Sequence, residues 1–344
     1  MGPYWSDPMA GDVGKLVECV PNFSEGRDLE KIRDITVTIE DSPGVRLLDV
    51  EANSDYNRVV VTFVGGPEEV KEAAFRSIAR ASELIDMLVQ NGHHPRMGAT
   101  DVCPFVPIAG VTMEDCVRVA RELGRGVGER LGIPVYLYGE AARIADRVAL
   151  SNIRRGEYEG LEKRLAGSMW RPDFGPCEYT DSVRRTGATA IGARKFLIAF
   201  NIGLNTSSVG LARKIAGRLR DSGVIAIHQG KKVRIPGRLK KVQAIGVPMD
   251  SGTTEVSMNL LDYDVTPPHV AFEAVKDEAE GLGVEVTGSD IVGLVTKEPL
   301  LVAGAFYGCG GTERQRIEAA IKGLRLQNFD MDKKVIEYAV GFNE

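Results

Sequence analysis

A chain of 344 residues is long enough for two compact domains, each with its own core. Its 43 basic and 48 acidic residues leave a net charge of −5, so nothing global points to nucleic acid or an anionic membrane surface as a partner. No apolar run approaches the roughly 18 residues that a bilayer-spanning helix needs.

Residues 1–15, MGPYWSDPMAGDVGK, have neither the basic end nor the continuous apolar segment of a secretory signal. They are expected to form a flexible leader. The five cysteines, Cys19, Cys103, Cys116, Cys177 and Cys309, are scattered and fit neither a zinc spacing nor a disulfide framework. Reduced, isolated thiols suit a cytoplasmic protein. Cys19 and Cys103 lie among strand-like residues and are expected to be packed inside.

Residues 16–23 read as a strand that turns at Pro21-Asn22. A helix follows over 24–41, with Ser24 or Asp28 as its cap and Leu29, Ile32, Ile35 and Ile39 at helical spacing. Residues 45–52 and 57–65 are two strands joined by a short polar link, which predicts an antiparallel hairpin. The next helix, 67–88, has Pro67 in its first turn and Glu68-Glu69 at its positive end. Residues 101–110 are strand-like, 112–131 helical, and 134–142 a strand running into more helix. From 151 to 185 regularity weakens, and this stretch is a candidate linker or functional loop. Order resumes with a strand at 195–204, a helix at 207–223, a second hairpin at 239–263, a helix from Pro267 and a strand at 284–295. One or two helical pieces come after it. The GCGGTER run, 308–314, could cradle an anion through its amides. It lacks the ending of a nucleotide-binding P-loop, and a plain flexible loop is the simpler expectation.

Each half thus runs strand, helix, hairpin, helix, and the first half adds a strand–helix–strand. This rhythm predicts an α+β fold of two tandem ferredoxin-like (βαββαβ) subdomains, 16–190 and 191–330, with a tail at 331–344. A parallel α/β sheet is the alternative, and the two hairpins speak against it.

Chemistry concentrates in 91–107, NGHHPRMGATDVCPFVP, which holds two of the four histidines. Pro95 biases His94 away from helix, and Gly92 and Gly98 permit unusual backbone angles, so His94 belongs on a constrained loop. A histidine can take and return a proton near neutral pH, and Arg96 nearby could hold a carboxylate with paired hydrogen bonds. The bland alternative is a structural loop histidine. Asp49 is an acid inside an apolar strand, and Arg58 opens the next strand. They could pair across the hairpin or contact a substrate. A metal site at His93-His94 is the weaker idea, because adjacent side chains rarely converge on one ion and no HxxxH or cysteine pair accompanies them. A basic run, Arg234, Arg238, Lys240 and Lys241, has little opposing charge in sequence, and Arg194-Lys195 add to it. Either a polycarboxylate or phosphate ligand or a solvated basic sheet edge would explain it. On a strand, Lys240 and Lys241 would point to opposite faces.

Taken together, LVECVPNFSEG, LLDV followed by NRVVVTFVG, HPRMGATDVCPFVP, PVYLYGEAA, RPDFGP, GARKFLIAFNI, PGRLKKVQAIG and the pair VSMNLLDYDVT with GSDIVGLV resemble the formiminotransferase family, in order from Leu16 to about Val295. The resemblance implies transfer of a formimino group from N-formimino-L-glutamate to N5 of tetrahydrofolate, the co-substrate, with no metal. It implies folate in a cleft between the subdomains and His94 as the catalytic histidine. Folate-contacting segments would match 175–187, with Gly175, Pro176 and Gly187, and 237–246, with Gly237, Arg238, Lys240, Lys241 and Gln243. Asn201 falls within another matching motif. Arg96, Arg194 and Lys241 are candidates for substrate carboxylates, Arg58 for a substrate contact, and Asp49 for the cationic amidine. His93 stands where the family pattern has an acidic residue, and its charge would lower the pKa of His94. The segment after Gly175 also departs from the pattern and adds Arg184 and Arg185. A homodimer is implied, and with the chain ending at Glu344 a separate cyclodeaminase is expected. The competing readings are a glutamate formyltransferase using 5-formyltetrahydrofolate, a non-catalytic folate-binding protein, and a metal-dependent hydrolase built on the histidine pair.

Overall fold

The computed structural model describes residues 14–228 and 231–341, so most of the expected leader, 1–13, lies outside the described residues. The fold is mixed α+β and divides into two compact units with the break between Lys195 and Phe196. No helix among the described residues is long and apolar enough to cross a membrane.

The first unit opens with β1 (Leu16–Cys19) and β2 (Asn22–Phe23). Both lie between the same two neighbours, so they are one strand interrupted at Pro21, whose missing N–H cannot serve the ladder. Helix α1 (Leu29–Glu40) is capped by Asp28, whose carboxylate accepts the N–H groups of Glu30 and Lys31. Its residues Ile32, Ile35 and Ile39 are buried, as the helical spacing requires. The hairpin of β3 (Val45–Asn53) and β4 (Arg58–Gly65) follows as read, then α2 (Pro67–Leu84), β5 (Thr100–Ala109) and α3 (Met113–Gly126). The strands β5, β1, β4 and β3 pair in that order, all antiparallel.

Beyond β5 the sheet continues in a way the sequence did not announce. Strand β6 (Val135–Gly139) is followed by short helices α4 (Leu150–Ile153), α5 (Leu161–Ala166) and α6 (Asp181–Thr186), and then by β7 (Thr189–Ala193). Strand β7 inserts between β5 and β6, parallel to both. The parallel arrangement set aside from the hairpins is therefore present locally. Residues 151–185 do not link the units, since they end before β7 of the same unit. They are tied back by Arg147, buried under the faces of Tyr136 and Trp170 and bonded at 2.7 Å to Asp173. One core joins Phe23, Phe63 and Phe105 of the sheet to Ile35, Ile78 and Leu123 of the helices. Cys19 and Cys103 are buried there with their sulfurs 3.6 Å apart.

The second unit runs β8 (Ile198–Leu204), α7 (Val209–Leu219), a hairpin of β9 (Val224–His228) and β10 (Lys231–Ile235), then β11 (Val242–Pro248), β12 (Thr254–Leu260), α8 (Pro268–Glu280) and β13 (Val286–Val292). Strands β13, β8, β12 and β11 pair in that order, all antiparallel. The β9–β10 hairpin stands apart as its own two-stranded sheet and has no counterpart in the sequence reading. Helices α9 (Lys297–Phe306), α10 (Glu313–Gly323), α11 (Met331–Lys334) and α12 (Ile336–Ala339) complete the unit, more than the one or two pieces expected. The GCGGTER run ends as the start of α10, with Thr312 and Gln315 forming a reciprocal capping box.

Candidate active site

The loop between α2 and β5 carries His94 and is braced from several elements. The Asn57 side chain at the β3–β4 turn accepts the Gly26 N–H at 2.9 Å and donates to the Asn91 carbonyl at 2.7 Å. Asp101 on β5 accepts the Met97 N–H at 3.0 Å. The Ala188 and Ala99 amides donate to Met97 and Thr186 carbonyls at 3.0 and 2.8 Å, which zips the loop to the segment before β7. That zip explains Gly187: its φ is +70°, and a Cβ there would strike the Met97 carbonyl.

Arg96 is the main anchor of this loop. It is 7% exposed, and its guanidinium makes a two-pronged pair with Glu159 at 2.7 and 2.9 Å and donates to Gln90 at 2.8 Å. The hydrogen-bonding fork expected to grip a substrate carboxylate is already spent on the protein's own groups.

His94 is half-buried, with Nε2 2.8 Å from a terminal nitrogen of Arg58. Tyr56 meets its ring edge-on at a centroid distance of 6.2 Å, and the Arg58 guanidinium lies 5.5 Å over the Tyr56 ring. Burial first, then the charges of Arg58, Arg154 and Arg96, hold its pKa well below the ordinary histidine value. The direction is the one expected from sequence, and here burial and these three arginines lower it. Arg154 is itself paired with Asp101, which is 1% exposed. Near pH 7 the imidazole is therefore neutral, and its one lone pair, at Nε2, faces Arg58.

Asp49 and Arg58 are not opposite one another. The register sets Asp49 against Thr62 and Arg58 against Asn53, and Arg58 turns to His94 instead. Arg194 follows β7, and its charge acts on Glu18 and Tyr138 rather than on His94. Glu18 is 2% exposed on β1, and burial pushes its pKa up to about 7 against the pull of Arg194. Gly175 has φ +83° and a Cβ there would meet the Ile133 carbonyl, so backbone geometry alone demands that glycine; Pro176 beside it is half-buried.

The remaining candidates belong to the second unit. Asn201 is 8% exposed in the middle of β8, and Gln243 on β11 pairs in register with Asn259 on β12. Gly237 lies where a Cβ would strike the Arg220 carbonyl. The basic run is not short of opposing charge: Arg238 pairs with Asp277 at 2.9 Å and Lys240 with Asp221 at 3.3 Å. Lys240 and Lys241 precede β11 rather than lie on it, and Lys241 has φ 56°, so the alternation expected of a strand does not apply.

Tyr56, Gln90, Asp101, Arg154 and Glu159 were not singled out from sequence, nor was Glu18. Glu18 in LVECV and Asp101 in TDVCPF carried the signal that drew notice to Asp49, an acid in an apolar strand. Arg154 and Glu159 carried none.

Two family models cover most of the chain: the N-terminal subdomain of the formiminotransferase domain matches residues 16–194, and the formiminotransferase domain matches 199–341. The chain belongs to the formiminotransferase family. It is 48% identical to the formimidoyltransferase-cyclodeaminase of Sus scrofa over 95% of this chain and 60% of that protein. It is 37% identical to the glutamate formimidoyltransferase of Streptococcus pyogenes serotype M1 over 94% of this chain and 98% of that one. With the glutamate formimidoyltransferase of Thermoplasma acidophilum it shares 44% identity over 85% of this chain and 92% of that one. The chain thus spans 60% of the length of the bifunctional relatives.

Proposed function

We propose that this chain is a one-carbon transferase that moves the formimino group of N-formimino-L-glutamate to N5 of tetrahydrofolate, giving L-glutamate and 5-formimidoyltetrahydrofolate. The observation that carries the reading is His94: a neutral imidazole on a braced loop, in a chain that matches the family over both units. In the reaction, the N5 lone pair attacks the amidine carbon, and the C=N pair moves onto nitrogen. The tetrahedral adduct then loses the N5 proton to the imidazole. The imidazolium passes that proton to the glutamate nitrogen, the C–N bond breaks with its electron pair on that nitrogen, and C=N re-forms. One histidine serving both nitrogens in turn suits general acid–base catalysis. Substrates held in attack geometry supply much of the remaining acceleration.

The reading extends to the fold: the strand order 4-1-3-2 of each βαββαβ run supports two ferredoxin-like units. It extends also to a cytoplasmic homodimer, which the free thiols and the exposed β9–β10 hairpin support.

The test supplies tetrahydrofolate with either formiminoglutamate or formylglutamate and follows the folate product by absorbance and mass. Formation of 5-formimidoyltetrahydrofolate is expected. Product from the formyl donor alone would replace this function with a formyltransferase, and binding without transfer would leave only a folate-binding protein.

A further inference from the structure

Arg58 opens β4, and its guanidinium reaches Nε2 of His94 at 2.8 Å. Arginine offers donors and no acceptor. The imidazole must therefore accept at Nε2, and its ring proton sits on Nδ1. While Arg58 holds that lone pair, Nε2 cannot take a proton from a substrate.

Arg58 also differs from the arginines around it. Arg96 is neutralised by Glu159 and Glu157, and Arg154 by Asp101. Asp101 and Glu51 act on Arg58 through their charge, and among the described residues its buried Nε has no hydrogen-bond partner. Its partners are a ring nitrogen and, 5.5 Å away, the face of Tyr56. A guanidinium placed this way has unspent capacity for a bidentate anion. A carboxylate forms paired, charge-assisted hydrogen bonds with arginine that a neutral imidazole cannot match.

We propose that Arg58 is a latch on His94 that a substrate carboxylate releases: without ligand the guanidinium holds Nε2, and a carboxylate of the amino-acid donor draws it away and frees that nitrogen for proton transfer. The identity of the donor rests on the function proposed above; the tautomer and the latch do not. The groups that face His94 are Arg58 from β4, Arg154 after α4, Arg96 from the same loop and Tyr56 from the β3–β4 turn. Asp101 of β5 and Glu51 of β3 act in turn on Arg58. Pairing Arg58 with a carboxylate cancels one of the three charges that depress the imidazole. The base thus strengthens when the donor arrives, and His94 acts as the proton carrier only with a carboxylate in place. Arg58 is a positioning residue, acting through the histidine.

Nitrogen-15 spectra of histidine-labelled protein test this directly, because the ring nitrogens of the two tautomers resonate apart; His94→Gln assigns the signal among the four histidines. Ligand-free wild type is expected to show His94 with its proton on Nδ1. L-Glutamate, which carries the carboxylates without the reactive group, should shift the His94 signals and raise its titration midpoint. Arg58→Met should show the raised midpoint without ligand and give no further response to glutamate. In turnover, Arg58→Lys should raise KM for the donor by about tenfold or more, the loss of one bidentate charged pair, with little change for tetrahydrofolate. A proton found on Nε2 in the free enzyme, or His94 signals that glutamate leaves unmoved, overturns the latch. The expected spectra in a chain that transfers no formimino group would keep the latch and refute the function. Transfer with unresponsive spectra would do the reverse.

Discussion

Replacing Glu18 by glutamine should stabilise the first unit at alkaline pH and remove part of its pH dependence. The Glu18 carboxyl is 2% exposed on β1, and burial raises its pKa from the usual 4.5 to about 7. A folded-state pKa above the unfolded one means that the folded form holds its proton longer. Between pH 4.5 and about 7 folding therefore becomes less favourable as pH rises, and the effect levels off above that. At about 1.4 kcal/mol per pKa unit, a rise from 4.5 to about 7 corresponds to about 3.5 kcal/mol of stability lost to ionisation of the buried acid. Glutamine keeps the shape and never ionises. At pH 8 the variant should be more stable than wild type by up to that amount, and at pH 4.5 the advantage should vanish. His94, with its lowered pKa, works in the opposite sense, since acid below its ordinary value favours the unfolded chain. The difference between variant and wild type cancels that contribution. Urea unfolding at a series of pH values measures it through tryptophan fluorescence, because Trp5 and Trp170 both precede the break at Lys195. A variant that tracks wild type at every pH would refute the buried, proton-holding carboxyl.

The spent guanidinium of Arg96 predicts that Arg96→Ala lowers kcat by about tenfold or more through loss of loop alignment, with KM for the donor little changed; a selective rise in that KM would restore the carboxylate role read from sequence. Gly187→Ala should destabilise the first unit by more than about 1 kcal/mol, from strain at positive φ and collision with the Met97 carbonyl, measured as a lowered melting temperature. Because the free imidazole titrates well below its ordinary value, kcat/KM should hold as pH falls through 6.5 and decline only in more acid solution; an acid limb centred at 6.5 would show that neither burial nor the arginines act on it.

The parts of this molecule that sequence conveyed are those fixed by neighbours along the chain. The Ile32, Ile35 and Ile39 spacing and the Asp28 cap define α1 locally, and a short polar link between two apolar runs defines the β3–β4 hairpin. Strand β7 escaped because TAIGA is built of small residues with no alternation. All five of its residues are buried, and a Cβ at Gly192 would strike Tyr138 on β6, so contacts across the sheet select them. The β9–β10 hairpin escaped because its isoleucines are exposed, Ile225 at 65% and Ile227 at 77%. At the candidate site, Pro95 and the glycines around it marked His94 as a loop histidine. Its charge is set by burial and then by Arg58 and Arg154, 36 and 60 positions away in sequence. The pairing of Arg96 was hidden for the same reason: Glu159, its partner, comes from a stretch with no pattern of its own.

The proton-carrying role of His94 is tested most directly by the rate at which 5-formimidoyltetrahydrofolate forms at saturating donor and folate, wild type against His94→Ala, with tetrahydrofolate binding measured separately. A fall of about 10²–10⁴-fold with folate affinity retained is the expected result. A rate within a few-fold of wild type would mean that another group moves the proton.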